Sequence, residues 1–227
     1  MERRRTGSPG SGSMVGMRKL AIISFLSPLV FYSLAADGSY TLGSAGGPPA
    51  EAAPAIAQAL QKDGIKISNN GAAYCEIWFR TEKPAGAKSS EENVTLPLIP
   101  QGALVGVIRF DGQGADRRGQ TIKAGVYTLR YSIMPVNGDH QGAAPQRDFL
   151  LLSPAADDRD LTSTPGFDAL VAMSRKASGT PHPAVLSFWK SDTDTPGFSK
   201  QGDTDWVLQA KLGDTPIAVI LAGVASS

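Results

Sequence analysis

Reactive side chains are scarce in this chain of 227 residues, which holds one cysteine, Cys75, and two histidines, His140 and His182. A lone cysteine excludes an intrachain disulfide even in an oxidising compartment, so burial must hold the core together. Cys75 alternates with Ala73, Ile77 and Phe79, the pattern of a buried and inert thiol. No Gly-x-Ser-x-Gly elbow occurs, and a zinc site made of histidine and cysteine has too few ligands to draw on. These shortages leave little for the familiar hydrolase triads and turn the reading away from an enzyme.

Concentrated basic charge is also missing downstream of Lys19. Leu20 to Ala36 is mostly apolar, follows Arg18-Lys19 and ends in small residues, which matches the charged, apolar and cleavage regions of a secretory signal. Residues 1–35 are therefore expected to be a signal peptide cleaved after Ala35. Arg3-Arg4-Arg5 stands too far from the apolar stretch for a twin-arginine signal, and Met14 or Met17 would each begin a more compact one, so residues 1–13 read as an over-extended start. Pro28 and Ser24, Ser27 and Ser33 interrupt a stretch already at the short limit for a bilayer span. No stable membrane span is expected after cleavage, and the expected location is periplasmic or secreted. Cleavage removes five of 22 basic residues and one of 21 acidic ones, leaving 17 and 20, a net charge near −3. That balance disfavours nucleic acid and anionic membrane, both of which need a basic face.

What the chain has in quantity is strand pattern. In Gly125 to Ile133, Tyr127, Leu129, Tyr131 and Ile133 share one face and Thr128, Arg130 and Ser132 the other, the period of a half-buried strand. Turn formers at 137–142 break it, and Arg147 to Leu152 resumes an extended apolar run. The two runs are expected to pair as an antiparallel hairpin at the centre of the fold. Asn69-Asn70-Gly71 marks a second hairpin between Ile65–Ile67 and Ala73–Arg80. Ala103 to Phe110 is apolar on both faces except at Arg109, as expected of a strand with neighbours on both sides. Ala184–Trp189, Trp206–Leu212 and Ile217–Ala222 supply three more strands, the last two turned by Gly213-Asp214.

Two helices complete the pattern. Pro54 to Lys62 has a proline suited to the first turn and Gly64 past its end. Phe167 to Lys176 has Asp168 in its first turn, Arg175-Lys176 in its last and Gly179 beyond. Residues 36–53, rich in Gly, Ala, Ser and Pro, read as a flexible linker. The architecture these elements predict is a single mainly β domain over 54–223, an antiparallel β-sandwich or open barrel with one or two short helices. Ala124 to Arg130 resembles the Gly-x-Tyr-x-Leu strand of exported bacterial β-sandwich modules, and with Cys75-Glu76-Ile77-Trp78 and Arg147 to Leu151 the chain resembles a secreted bacterial family of that kind. The resemblance implies a sandwich and supplies neither an activity nor a catalytic residue.

Candidate site residues gather in the loop from Pro135 to Gln146, longer than a tight hairpin needs. Asp139, His140, Arg147, Asp148 and His182 are the expected ligand-binding set, on the reasoning that a sandwich displays its loops together. His140, Asp148 and His182 are also the candidate metal ligands, since imidazole and carboxylate suit zinc, iron or copper. Three other readings are weaker. Asp192 to Gly197 with Asp203 has a calcium-loop glycine but proline at the fifth ligand position. Tyr74, Glu76, Trp78 and Arg80 make either a binding strip or part of the core, and core is favoured. Asn93-Val94-Thr95 matches a glycosylation acceptor, without weight behind a bacterial signal. The expected function is an exported, non-enzymatic protein with a binding or structural role toward an envelope or extracellular ligand, and the alternative is a metal-dependent or other enzyme using the 135–148 loop. No cofactor is indicated.

Overall fold

A computed structural model describes residues 39–136 and 146–224. In chain order these form β1 (Tyr40–Gly46), α1 (Pro54–Ala59), β2 (Gly64–Asn69), β3 (Ala72–Phe79), β4 (Leu104–Phe110), β5 (Gly114–Ala115), β6 (Thr121–Ile122), β7 (Gly125–Ile133) and β8 (Asp148–Pro154). After them come α2 (Phe167–Ser178), β9 (Val185–Lys190), β10 (Gly197–Gln201), β11 (Asp205–Leu212) and β12 (Thr215–Ala222). Ten of the strands make one sheet in the order β1-β2-β3-β4-β7-β8-β9-β12-β11-β10, and β5 and β6 pair separately. Every pairing is antiparallel. Of the two expected arrangements the chain takes the open barrel: a single sheet whose edges, β1 and β10, nearly meet. No helix among the described residues is long and apolar enough to cross a membrane.

Local chemistry explains much of the register. Asn70 and Gly71 both take positive φ, 51° and 81°, the backbone that a two-residue hairpin turn demands, and they join β2 to β3. The central hairpin forms as expected, with Leu129 opposite Leu152 and Ile133 opposite Asp148. β4 lies between β3 and β7, which accounts for its two apolar faces. The only step out of sequence on the far side is the link 191–196, which carries the chain from β9 past β12 and β11 to β10. It is a Greek-key step.

Alternate residues fill the barrel. Cys75, Ile77, Phe79, Ile108, Leu129 and Leu152 belong to one buried cluster that continues through Phe188, Leu208 and Val219. Outside, α1 places Ile56 against Trp78, Leu104 and Val107. Similarly, α2 places Leu170 against Phe149, Leu151 and Val185. Gly179, at φ 71°, ends α2 by donating its N–H to the Arg175 carbonyl, the left-handed stop that glycine permits without strain.

Four expectations are corrected. Residues 40–46, expected inside a linker, form β1, because backbone pairing with β2 supplies what the segment lacks in apolar side chains. The first helix stops at Ala59, and Leu60 is already extended and bridged to Arg80. Gly64 does not end that helix but opens β2, where a Cβ would lie 2.3 Å from Trp78 Nε1. The polar face of β7 is not solvated: Thr128, Arg130 and Ser132 are all fully buried, because the segment 155–165 crosses over the first two and Gln101 donates to Ser132 Oγ at 2.7 Å.

Candidate functional site

The register defines two ends. The upper end carries the loops 80–103, 191–196 and 213–214 together with residues 134–136 and 146–147, and the lower end carries β5, β6 and the approach to β9. Asp148, the first residue of β8, is at the upper end with its side chain turned into the barrel and fully buried. Four donors saturate its carboxylate. Thr95 gives its N–H (2.7 Å) and its hydroxyl (3.0 Å) to Oδ2, while Leu96 N–H (3.1 Å) and the Tyr131 hydroxyl (2.7 Å) go to Oδ1. The loop it grips plugs the barrel: Leu96 and Ile99 are buried in the interior cluster. Lys190 N–H donates to Thr95 Oγ1 at 2.9 Å, so the same threonine ties the plug to β9. Burial, and then the bond to Asp148, push the Tyr131 phenol well above its ordinary value, and it remains the donor. Asp148 is thus a latch, with no lone pair directed at solvent for a metal.

Arg147 faces the other way but is also engaged. Its Nε and Nη2 reach the Met134 carbonyl (3.0 and 2.8 Å), Nη1 reaches the Glu92 carbonyl (2.7 Å), and Nη2 reaches Glu91 Oε2 (2.8 Å). It fastens the outer stretch of the same 80–103 loop.

His182 is exposed at the lower end, before the start of β9. Its N–H donates to Thr180 Oγ1 (3.1 Å), and its carbonyl accepts from Ser178 Oγ (2.6 Å) and Gln120 Nε2 (3.2 Å). The β8–β9 register pairs Leu151 with Val185, so His182 lies beyond the far end of β8 from Asp148, roughly 20 Å at ~3.3 Å per residue. The structure therefore does not bring Asp148 and His182 together. Asp139 and His140 lie outside the described residues. Among the described residues no three His, Cys, Asp or Glu side chains converge to hold a metal. Asp194 pairs with Lys211 at 3.6 Å, and Asp203 lies at the opposite end of β10, so the calcium-like run does not close.

The Tyr74 to Arg80 strip resolves toward core. Glu76 is buried and paired with Arg109 and Lys66. Trp78 lies under α1, and its Nε1 donates to the Gly46 carbonyl at 2.8 Å. Tyr74 departs from the alternation because the register passes from Ile67 opposite Cys75 to Ser68 opposite Ala73. The extra residue is a bulge, and it turns Tyr74 toward Tyr40 and Phe110, with its hydroxyl on the Leu221 carbonyl at 3.0 Å. Burial first, then the Glu76 and Asp111 charges, push the Cys75 thiol far above its ordinary value, so it carries no thiolate chemistry.

What remains open at the upper end flanks the plug. One cleft of about 490 Å³ is lined by Lys83, Thr95, Leu98, Lys190, Asp214 and Pro216, among others. A second of about 540 Å³ is lined by Glu91, Gln101, Ile133, Val136, Arg147 and Phe167, among others. Leu98 at the first is 46% exposed and Val136 at the second 81%. Leu96 and Leu98 carry no mark in the sequence, and Thr95 none beyond the acceptor motif, since 81–103 has no apolar period. The one available signal was a Pro-Leu-Ile-Pro run inside a charged loop. No family model matches the chain, and no curated protein or solved structure matches it either.

Proposed function

We propose that this chain is an exported, non-enzymatic β-barrel protein of the periplasm or cell envelope that binds or organises a partner through its upper end. The carrying observation is the inversion of polarity there. The charged groups with the greatest chemical potential, Asp148 and Arg147, are spent on internal bonds. The large apolar side chains offered to solvent there are Leu98 and Val136, with Lys83 and Lys190 beside the first and Glu91 beside the second. Each cleft thus sets one exposed apolar side chain among charged ones, a mix found at protein-binding surfaces. The apolar run behind Arg18-Lys19 supports export.

A photoreactive amino acid at Leu98, with the same label at Lys176, exposed at the lower end, as control, tests the reading in cells that are then fractionated. A discrete adduct from position 98 in the envelope or periplasmic fraction is the expected result. Equal labelling from both positions, or stoichiometric metal in protein purified without chelator, would overturn it.

A further inference from the structure

The two clefts at the upper end differ in the charge they leave unspent. In the second, Glu91 is bonded to Arg147, and Arg147 to the Met134 and Glu92 carbonyls, so its opposite charges answer one another. In the first, Lys83 and Lys190 are the two cations of the lining and Asp214 its one acid, and among the described residues none of the three makes an ion pair. Nearby acids are engaged elsewhere. Asp194 lies 3.6 Å from Lys211, and Glu82 acts on Arg80, whose guanidinium burial depresses and the Glu82 charge partly restores.

Both lysines stand on anchored backbone. Lys190 is opposite Ile217 across the β9–β12 ladder, Ile217 is inside the barrel, and opposed residues project to the same side of a sheet. Lys190 therefore leans over the barrel mouth, with its N–H on Thr95 Oγ1 at 2.9 Å. Lys83 is pressed against the turn between β11 and β12, where a Cβ on Gly213 would lie 3.0 Å from the Lys83 nitrogen. The rim thus runs from Lys83 past Asp214 and Pro216 to Lys190. Leu98 rises beside it, 46% exposed, on backbone that is also tied: its carbonyl accepts from Gly86 N–H at 2.9 Å, and the Pro97 carbonyl accepts from Ser89 N–H at 2.7 Å. An apolar side chain held in the open on fixed backbone is preorganised for contact. The volume of about 490 Å³ is within the range of pockets that bury a ligand, and the mouth of a barrel is a common place for one.

We propose that the partner of the upper end offers this cleft an acidic stretch of peptide carrying one apolar anchor. The anchor packs on Leu98, Pro97 and Pro216, and the flanking carboxylates lie by Lys83 and Lys190. This rests on the binding role proposed for the upper end and adds the partner's chemistry to it. A purely apolar segment would cover two ammonium groups without answering their charge, and a basic one would meet them as like charges. Because the lysines stand on the rim, they act mainly on the rate of encounter and the choice of partner.

A display library of random linear peptides, panned against the full chain, supplies the probe. Recovered peptides should hold one large apolar residue flanked by Asp or Glu, and their binding should weaken as salt rises. Lys83→Glu combined with Lys190→Glu should weaken it by about tenfold or more, while Lys123→Glu with Lys176→Glu, the same change of charge at the lower end, leaves it unchanged. Asp214→Asn should tighten it by about two- to fivefold, a gain that a folding defect does not produce. No acidic enrichment, or acidic peptides indifferent to Lys83, Lys190 and Asp214, overturns the proposal. The photo-adduct from position 98 separates it from the binding role. An adduct that survives the double lysine reversal in cells overturns the acidic partner and leaves the role standing, whereas no adduct in the parent removes both.

Discussion

Arg130 and Asp158 form a two-pronged ion pair inside the protein, with Nε to Oδ2 and Nη2 to Oδ1 both at 2.7 Å. The remaining guanidinium donors go to the carbonyls of Gly102, Asp160 and Ser163, so one side chain binds the segment crossing β7 to the strands beneath. Gly102 sits at φ 82°, and a Cβ there would lie 2.3 Å from the Pro165 carbonyl oxygen, which makes the close approach of the two segments dependent on glycine.

Asp158→Ala should cost about 3–5 kcal/mol, because it leaves a buried guanidinium without its counter-charge. Arg130→Met combined with Asp158→Leu should recover only part of that loss, because it removes the buried charge but leaves the Gly102, Asp160 and Ser163 carbonyls without their donor. Urea titrations of the two variants decide it, and equal losses in both would assign the stability to packing and not to charge.

Asp148→Ala should destabilise by about 2–4 kcal/mol, since it strands the buried donors of Thr95, Leu96 and Tyr131. Tyr131→Phe should cost less, and the double variant less than the sum of the two, as groups sharing one network are not additive. Limited proteolysis should find 80–103 opened in Asp148→Ala. His182→Ala, whose bonds are made by the backbone, should stay within ~0.5 kcal/mol of the parent. A resistant loop in Asp148→Ala would mean that the plug is held by Leu96 and Ile99 alone.

Alkaline pH should unfold the barrel cooperatively. Burial raises Tyr74, Tyr131 and Cys75 above their ordinary values, so the folded state keeps protons that the unfolded chain releases from pH ~8.5 for cysteine and ~10 for tyrosine. Their stabilisation is complete below the unfolded values and is lost as pH rises, by about 1.4 kcal/mol per pH unit for each proton. Phenolate absorbance from Tyr74 and Tyr131 should appear together with the loss of circular dichroism, and Tyr131→Phe should flatten the slope. A phenolate signal in the folded protein near pH 10 that Tyr74→Phe or Tyr131→Phe removes would contradict it.

Periodicity marks a strand with one buried face and falls silent where a distant segment supplies the cover. Leu129 and Leu152 advertised the central hairpin because one buried face and a period of two suffice to place a strand. The same alternation misjudged Arg130, since polarity in a strand signals solvent unless something covers it, and Asp158 lies 28 residues away with no local mark. Asp148 was visible as an unusual carboxylate at a strand start, but its role was not, because its partners Thr95 and Leu96 sit in a loop without pattern. Tyr40 to Gly46 looked too poor in apolar groups to be ordered, and the backbone pairing that orders it has no signature in side-chain type. Tyr74 shows the reverse problem: the alternation is regular in sequence and is broken by a bulge that only the β2 register reveals.

Cys75 lies next to that bulge, fully buried and the chain's single thiol. A thiol reagent added to the folded protein has to wait for the strands around the sulfur to part. The delay before modification therefore measures how often β3 comes loose from its neighbours, and the chain carries its own clock for that event, readable by mass without any added label.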